Sequence, residues 1–529
     1  MTPISRRSFL ASGVAAAMLN SASGALPDGR RRYHACLSPE ALERDPDLLD
    51  VVAQAGVSEV WIAGFFYGFW PYPIETIRAW RQRVEARGLA ASVVNVPLGH
   101  PGDSLGSSDA GFPLTPDRRW RVAVRPDGSQ YVGTSLHTPA TEDNVEALRR
   151  LRADGVRRVF LDDDFRLATG PGVIGGCFCD EHRQAFLKRG GYAPARWNEL
   201  LDDVRKRALS PLLRAWVEFS CDELTASFRA QEKAIGGRGR LGIMVMYLGA
   251  EKAGIRLKDY SGLPFRVGEL MFDDASFGNV KGKTDELFSA LFHRRFVRPD
   301  LAYSETTAYP ADRLSATNMA AKLAVSTIAD VRNTMFMSGL TPFPKTHWAT
   351  LAPAMKENAR IHGQIAGHAA RGPLKLLWGE ASRYVGDDSP FSLPLALGIP
   401  FEVTARPARD GWTFLSDADA RHAAAGGLRS QGTVFVGRSG QGSIVSGIGE
   451  SMEELKRWKH SIAGRLSSVP YLADDGLAVL AWYPTARACV IWNLEERRRE
   501  CVLAFGPNRR TVSVEPLGIS LAERVTAQP

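Results

Sequence analysis

Residues 159–167 read VFLDDDFRL, an apolar strand-like run followed by Asp162, Asp163 and Asp164. Neighbouring carboxylates repel, and crowding raises the proton affinity of at least one of them, which is how an acid stays loaded near neutral pH. Asp273 and Asp274 in LMFDDASF and Glu305 in AYSETTAYP follow later strand-like runs. Cleavage of a glycosidic bond needs two carboxyl groups, one protonated beside the leaving oxygen and one ionised, about 5 Å apart for retention and wider for inversion. The competing reading is structural. In it, Asp162 to Asp164 cap the following loop and pair with Arg157 or Arg166.

A second constellation follows closely. GGCFCDEHRQAF places Cys177, Cys179 and His182 at C-x-C-x-x-H spacing, and TSLHTPATEDN places His137 ahead of the helix that leads into the Asp run. Two thiolates and two imidazoles make a tetrahedral zinc set with no open position, the pattern of a structural site. The alternatives are free thiols or a disulfide elsewhere, since cysteines one residue apart are poorly placed to bridge each other. Cys36 and Cys221 read as buried thiols. Cys489 and Cys501 lie on neighbouring β-runs, where a disulfide could form after export.

These groups need a scaffold, and the chain of 529 residues is long enough for a large barrel with accessory domains. Its composition, 44% hydrophobic and 23% charged, is that of a core-building globular protein and excludes disorder, collagen and coiled coil. The formal charge of +8 is spread over scattered arginines, so a solvated surface is expected and no nucleic-acid footprint. SRRSFLASGVAAAMLNSASGA, in residues 1–25, has the form of a twin-arginine export signal. Its apolar run is too short to anchor the chain in a membrane, so a periplasmic or secreted protein is expected.

From residue 33 onward, apolar runs alternate with helical patterns. RYHACL, SEVWIAGFF, LAASVVNV, VRRVFLD, RLGIMVMYL, RVGELMFDD, DLAYSETTAYP and NTMFMSGL give eight strand candidates by residue 340. Such alternation predicts parallel strands with crossover helices, and this number fits an α/β fold of the (β/α)8 TIM-barrel type over 33–368. A doubly wound open sheet is the alternative. In a barrel, functional residues sit just after the strands, where all three carboxylate groups fall. Residues 372–465 are shorter, Gly-rich α/β units and predict a smaller α/β domain. Residues 470–529 alternate strands with turns and predict a small β-sandwich.

The chain resembles glycoside hydrolase family 42, the β-galactosidase-like enzymes of clan A. The resemblance rests on LDDDFR, GGCFCDEH with His137, VWIAGFFYGFWP, LMFDDASF and AYSETTAYP. It implies a barrel followed by a flavodoxin-like trimerisation domain and a small β domain, and hence a homotrimer. It also implies that Asp164 is the acid/base and Glu305 the nucleophile. Asp162 and Asp163 match the residues before the acid, and His137, Cys177, Cys179 and His182 match the family's zinc ligands, with histidines at the first and last. The chain departs from the family in having Asp at 164 for Glu, Asp at 163 for Asn, and Phe65 where an acidic residue is usual.

The expected activity is a glycoside hydrolase of two-carboxylate, retaining type on an oligo- or polysaccharide, with structural zinc and no organic cofactor. Trp61, Phe66, Tyr67, Trp70 and Trp348 are candidates to stack on sugar faces, and Asn95, His347 and Arg166 to bind hydroxyls. Three rivals stand. One is a glycosidase pairing Asp273 or Asp274 with the 162–164 cluster. Another is a glycan-binding barrel without catalysis. The third is a hydrolytic zinc enzyme, against which four protein ligands would leave the metal no water.

Overall fold

The computed structural model describes residues 30–98, 116–134, 136–162, 165–268, 270–339 and 341–525. The export signal, Asp163 and Asp164 lie outside the described residues. Each of the eight strand candidates becomes a strand of one closed barrel. They are β1 (Arg32–Leu37), β2 (Glu59–Phe66), β3 (Ala90–Val96), β4 (Val159–Leu161), β5 (Leu241–Met246), β6 (Phe265–Gly268), β7 (Ala302–Thr307) and β8 (Asn333–Met337). Every neighbouring pair runs parallel, and β8 closes on β1. Strands covered on both faces explain the nearly continuous apolar runs.

Crossover helices cover the outside. They are α1 (Leu48–Ala55), α2 (Ile74–Glu85), α3 (Ala140–Ala153), α4 (Pro211–Ile235), α5 (Val280–His293), α6 (Ala316–Ile328) and α7 (His347–Ile365). Their starts follow from local chemistry. Ser210 caps α4 by accepting from Leu213 N, with Pro211 in the first turn, and Asn279 and Ser315 cap α5 and α6 in the same way. Between β5 and β6 the described residues form only two 3-10 turns, Glu251–Ala253 and Leu257–Tyr260. A hairpin, Val122–Val124 with Gln130–Thr134, which the apolar periodicity did not predict, precedes α3.

The barrel interior is packed. Trp61 and Phe160 rings meet at 4.8 Å, Phe160 and Tyr303 at 4.9 Å, and a Cβ on Gly242 would run into the Phe160 ring. Below them His34 Nδ1 lies 3.0 Å from Glu59 Oε2. Burial alone would raise Glu59, but the hydrogen bond and charge of His34, with Arg158 and Ser92, hold it at about 2.

The second sheet is all parallel: β9 (Leu374–Leu377), β10 (Phe401–Thr404), β11 (Trp412–Phe414), β12 (Val434–Gly437) and β13 (Val445–Gly447). Its order, β10-β9-β11-β12-β13, is the doubly wound order of flavodoxin. The last 60 or so residues form two three-stranded antiparallel sheets facing each other across Leu480, Ile491 and Leu503. Here one expectation is corrected. Cys489 and Cys501 lie in different sheets, both buried, and all six cysteines are free thiols.

Candidate active site

Along β7, Tyr303, Glu305 and Thr307 share a face by strand alternation, and the Tyr303 contacts with Trp61 and Phe160 identify it as the barrel interior. Glu305 therefore points inward near the carboxyl end of the strand. It is 3% exposed, and its Oε1 accepts from the Thr307 hydroxyl at 2.6 Å. Its Oε2 is buried and has no hydrogen-bond partner among the described residues.

Asp162 stands one residue past β4. Its backbone N–H donates to Asn95 O at 2.7 Å, and its carboxylate pairs inside the barrel with Arg266 of β6. The Arg266 guanidinium is fully buried and ringed by sulfur, lying 2.7 Å from Met244 Sδ, 2.9 Å from Met335 Sδ and 3.2 Å from Met337 Sδ. Burial pushes the Cys36 thiol up to about 12, with Arg266 opposing and Glu305 adding to the rise, so all three share one interior region. The sequence signal for Arg266 was available: a lone Arg in FRVG, at an inward position of an apolar strand.

Behind β7, Glu286 of α5 and Lys322 of α6 form a fully buried pair at 2.8 Å. Glu286 Oε1 also accepts from Met271 N. Burial raises Glu286 to about 7, with Lys322 opposing and the Glu305 charge adding to the rise.

Several sugar-facing assignments are corrected. Trp61 is 0% exposed, enclosed by Phe160 and Tyr303. Trp348, at the start of α7, packs on Phe336 and Phe343 in the layer between barrel and helix. A Cβ on Gly64 would run into both Asn95 Oδ1 and Val93, so Asn95 lies on the helix-facing side of the sheet. There it accepts from Phe65 N at 2.9 Å, bridging the register shift between Ala63 and Phe66. Phe66 and Tyr67 are buried, Trp70 lies under the Arg150 guanidinium, and His347 Nε2 bonds Leu314 O.

Asp273 caps a short helix, and Asp274 braces Ser315, the cap of α6. Asp273 closes a capping box with Ser276, and Asp274 Oδ1 accepts from Ser315 N, Ser315 Oγ and Asn318 Nδ2. Capping chemistry selects the same residue type as acid catalysis, which is why the sequence did not separate them. Arg166 is buried next to Tyr131, whose hydroxyl burial pushes up to about 12 with Arg166 opposing.

His137, Cys177, Cys179 and His182 do come together, their ligand atoms all within 4.8 Å of one another. Cys179 Sγ lies 3.3 Å from His137 Nε2 and 3.3 Å from His182 Nδ1. Cys179 precedes the helix Asp180–Gly190, at the end that favours negative charge, and His182 is in its first turn. His137 Nδ1 faces Glu181 at 3.3 Å, and Glu181 is held by Arg121. A carboxylate behind a ligating histidine is the arrangement that fixes its tautomer, and the two-thiolate, two-imidazole set fits zinc.

No family model matches the chain, and no curated protein matches it by sequence. Solved structures do match in shape. A GH42 beta-galactosidase from G. stearothermophilus superposes with a TM-score of 0.57 at 9% identity, covering 94% of this chain and 98% of that one. An alpha-L-fucosidase from Paenibacillus thiaminolyticus gives a TM-score of 0.49 at 10% identity, covering 90% and 91%. The first likeness shows a shared fold through nearly the whole of both chains. No described helix is long and apolar enough to cross a membrane.

Proposed function

We propose that this protein is an exported, retaining glycoside hydrolase, with Glu305 as nucleophile and Asp164 as acid/base. The observation that carries the proposal is Glu305 itself. It is a buried inward carboxylate near the carboxyl end of β7, with Thr307 on one oxygen and no described partner on the other. Glu305 attacks the anomeric carbon while the acid protonates the departing oxygen, giving a glycosyl ester. Water activated by the same acid/base then releases the sugar and frees Glu305.

Asp164 is assigned as the acid by its place in LDDDFR, while Asp273 and Asp274 are engaged at helix starts and Asp162 is paired with Arg266. The beta-galactosidase likeness in fold supports a carbohydrate substrate, although Asp at 164 sets the acid back by about 1 Å or more compared with Glu, which argues for another sugar. His137, Cys177, Cys179 and His182 hold a structural zinc that ties the hairpin region to the loop after β4. The leading twin-arginine segment directs the folded protein to the periplasm. The doubly wound domain is the trimerisation surface.

The shortened acid favours one rival, a glycan-binding barrel without turnover. A panel of α- and β-linked aryl glycosides, with product anomers followed by NMR, separates the two. Retained configuration, lost in Glu305→Gln and Asp164→Asn, supports the hydrolase. Saccharide that binds tightly yet stays intact supports the rival.

A further inference from the structure

We infer that Asp388, in the second domain, is a positioning residue for the loop 165–176 that leaves the fourth barrel strand. Its catalytic consequence rests on the hydrolase reading, because this loop begins one residue after Asp164. Leu167 N donates to Ala253 O at 2.8 Å, Gly176 N to Leu167 O at 2.7 Å, and Gly175 N to Lys252 O at 2.6 Å. The loop is thus laid on the backbone of residues 252–253.

Lys252 is held in turn by the second domain. Its ammonium is fully buried, pairs with Asp388, donates to Ser382 O at 3.0 Å and lies 5.6 Å over the Trp378 ring. The Asp388 carboxylate is 1% exposed, and its Oδ2 accepts from Gly172 N at 2.7 Å. One carboxylate therefore grips the loop twice, directly at Gly172 and indirectly through Lys252. Gly172, at φ +71°, has no room for a side chain, since a Cβ would lie 2.7 Å from Asp387 O. Asp388 itself sits at φ +62°, a conformation costly for a non-glycine residue. Arg207 ties the same seam, donating from Nε to Val385 O at 2.7 Å and from Nη2 to Gly172 O and Gly386 O.

A buried ion pair is seldom the most stabilising solution, because an apolar pair of like volume is often as stable. What Lys252 and Asp388 add is direction: one defined place for the loop.

The test is hydrogen exchange and steady-state turnover of the full chain in two variants, Asp388→Asn and the double variant Lys252→Met with Asp388→Asn. The double variant removes the buried cation that the single change leaves unpaired, so it separates loop position from global unfolding. Amides of 165–176 should exchange about tenfold or more faster in both variants while those of β5 keep wild-type protection. With an aryl glycoside, kcat should fall about tenfold or more and KM change less than about twofold, the pattern of a misplaced catalytic group. Wild-type exchange in 165–176 of the double variant overturns the inference, as does faster loop exchange with unchanged kcat. Wild type without turnover on any glycoside overturns the hydrolase reading alone, and the exchange rates then still decide whether Asp388 holds the loop.

Discussion

The guanidinium of Arg266 on β6 reaches across the barrel interior to the carboxylate of Asp162, just beyond β4. The first carboxylate of the Asp run is thereby neutralised from inside the barrel. Arg266 has no other carboxylate partner among its described ion pairs, and its other polar contacts include three thioethers and the Cys36 thiol.

Breaking this pair from one side should be costly. Asp162→Asn leaves a buried cation without a counter-charge, and a loss of about 3–5 kcal/mol in urea unfolding is expected. The double change Arg266→Met with Asp162→Asn should recover most of it, since Met matches the sulfur-lined surroundings. A single variant within about 0.5 kcal/mol of wild type would show that the pair is not buried in solution.

The four-ligand cluster should behave as a structural centre. Protein as purified should carry zinc at one ion per chain by elemental analysis. Chelation should lower the melting temperature, while the fraction still folded keeps its kcat/KM. Selective loss of turnover in fully folded, metal-free protein would assign the metal to the chemistry instead.

All six cysteines are free thiols, so thiol titration of denatured, unreduced protein should give six per chain. Two fewer would reveal a bridge, with Cys489 and Cys501 the pair to examine.

At the foot of the barrel, Glu59 is held at about 2, below its ordinary value near 4.5, by His34 against the opposing effect of burial. A lowered carboxylate contributes stability fully above its unfolded pKa and loses it as pH falls towards the folded value. Wild type should therefore lose stability between about pH 4.5 and 2 more steeply than Glu59→Gln, with the two curves converging at the acid end. Parallel curves across that window would contradict the pairing.

The scaffold was largely legible in the sequence, because eight apolar runs at crossover spacing leave few alternatives to a parallel barrel. The sides of individual residues were less so. Trp61 lies on a strand that ends at the barrel mouth, but its depth in the strand places it within the packed interior. Asn95 looked available because the register shift it bridges leaves no mark in an apolar run. Arg266, the counter-charge of Asp162, is a single charge in an apolar strand, and nothing in the sequence links it to the Asp run. The clustering of His137, Cys177, Cys179 and His182 was readable because the short spacing of the last three constrains geometry directly, and only His137 had to be brought from a distance.

The central claim is that Glu305 is the nucleophile, and its most direct test is turnover of an activated aryl glycoside by Glu305→Ala with and without sodium azide. Loss of about a thousandfold or more is expected, with azide entering from the vacated face to give a glycosyl azide of inverted configuration. Wild-type turnover in Glu305→Ala, with no azide adduct, would contradict the assignment.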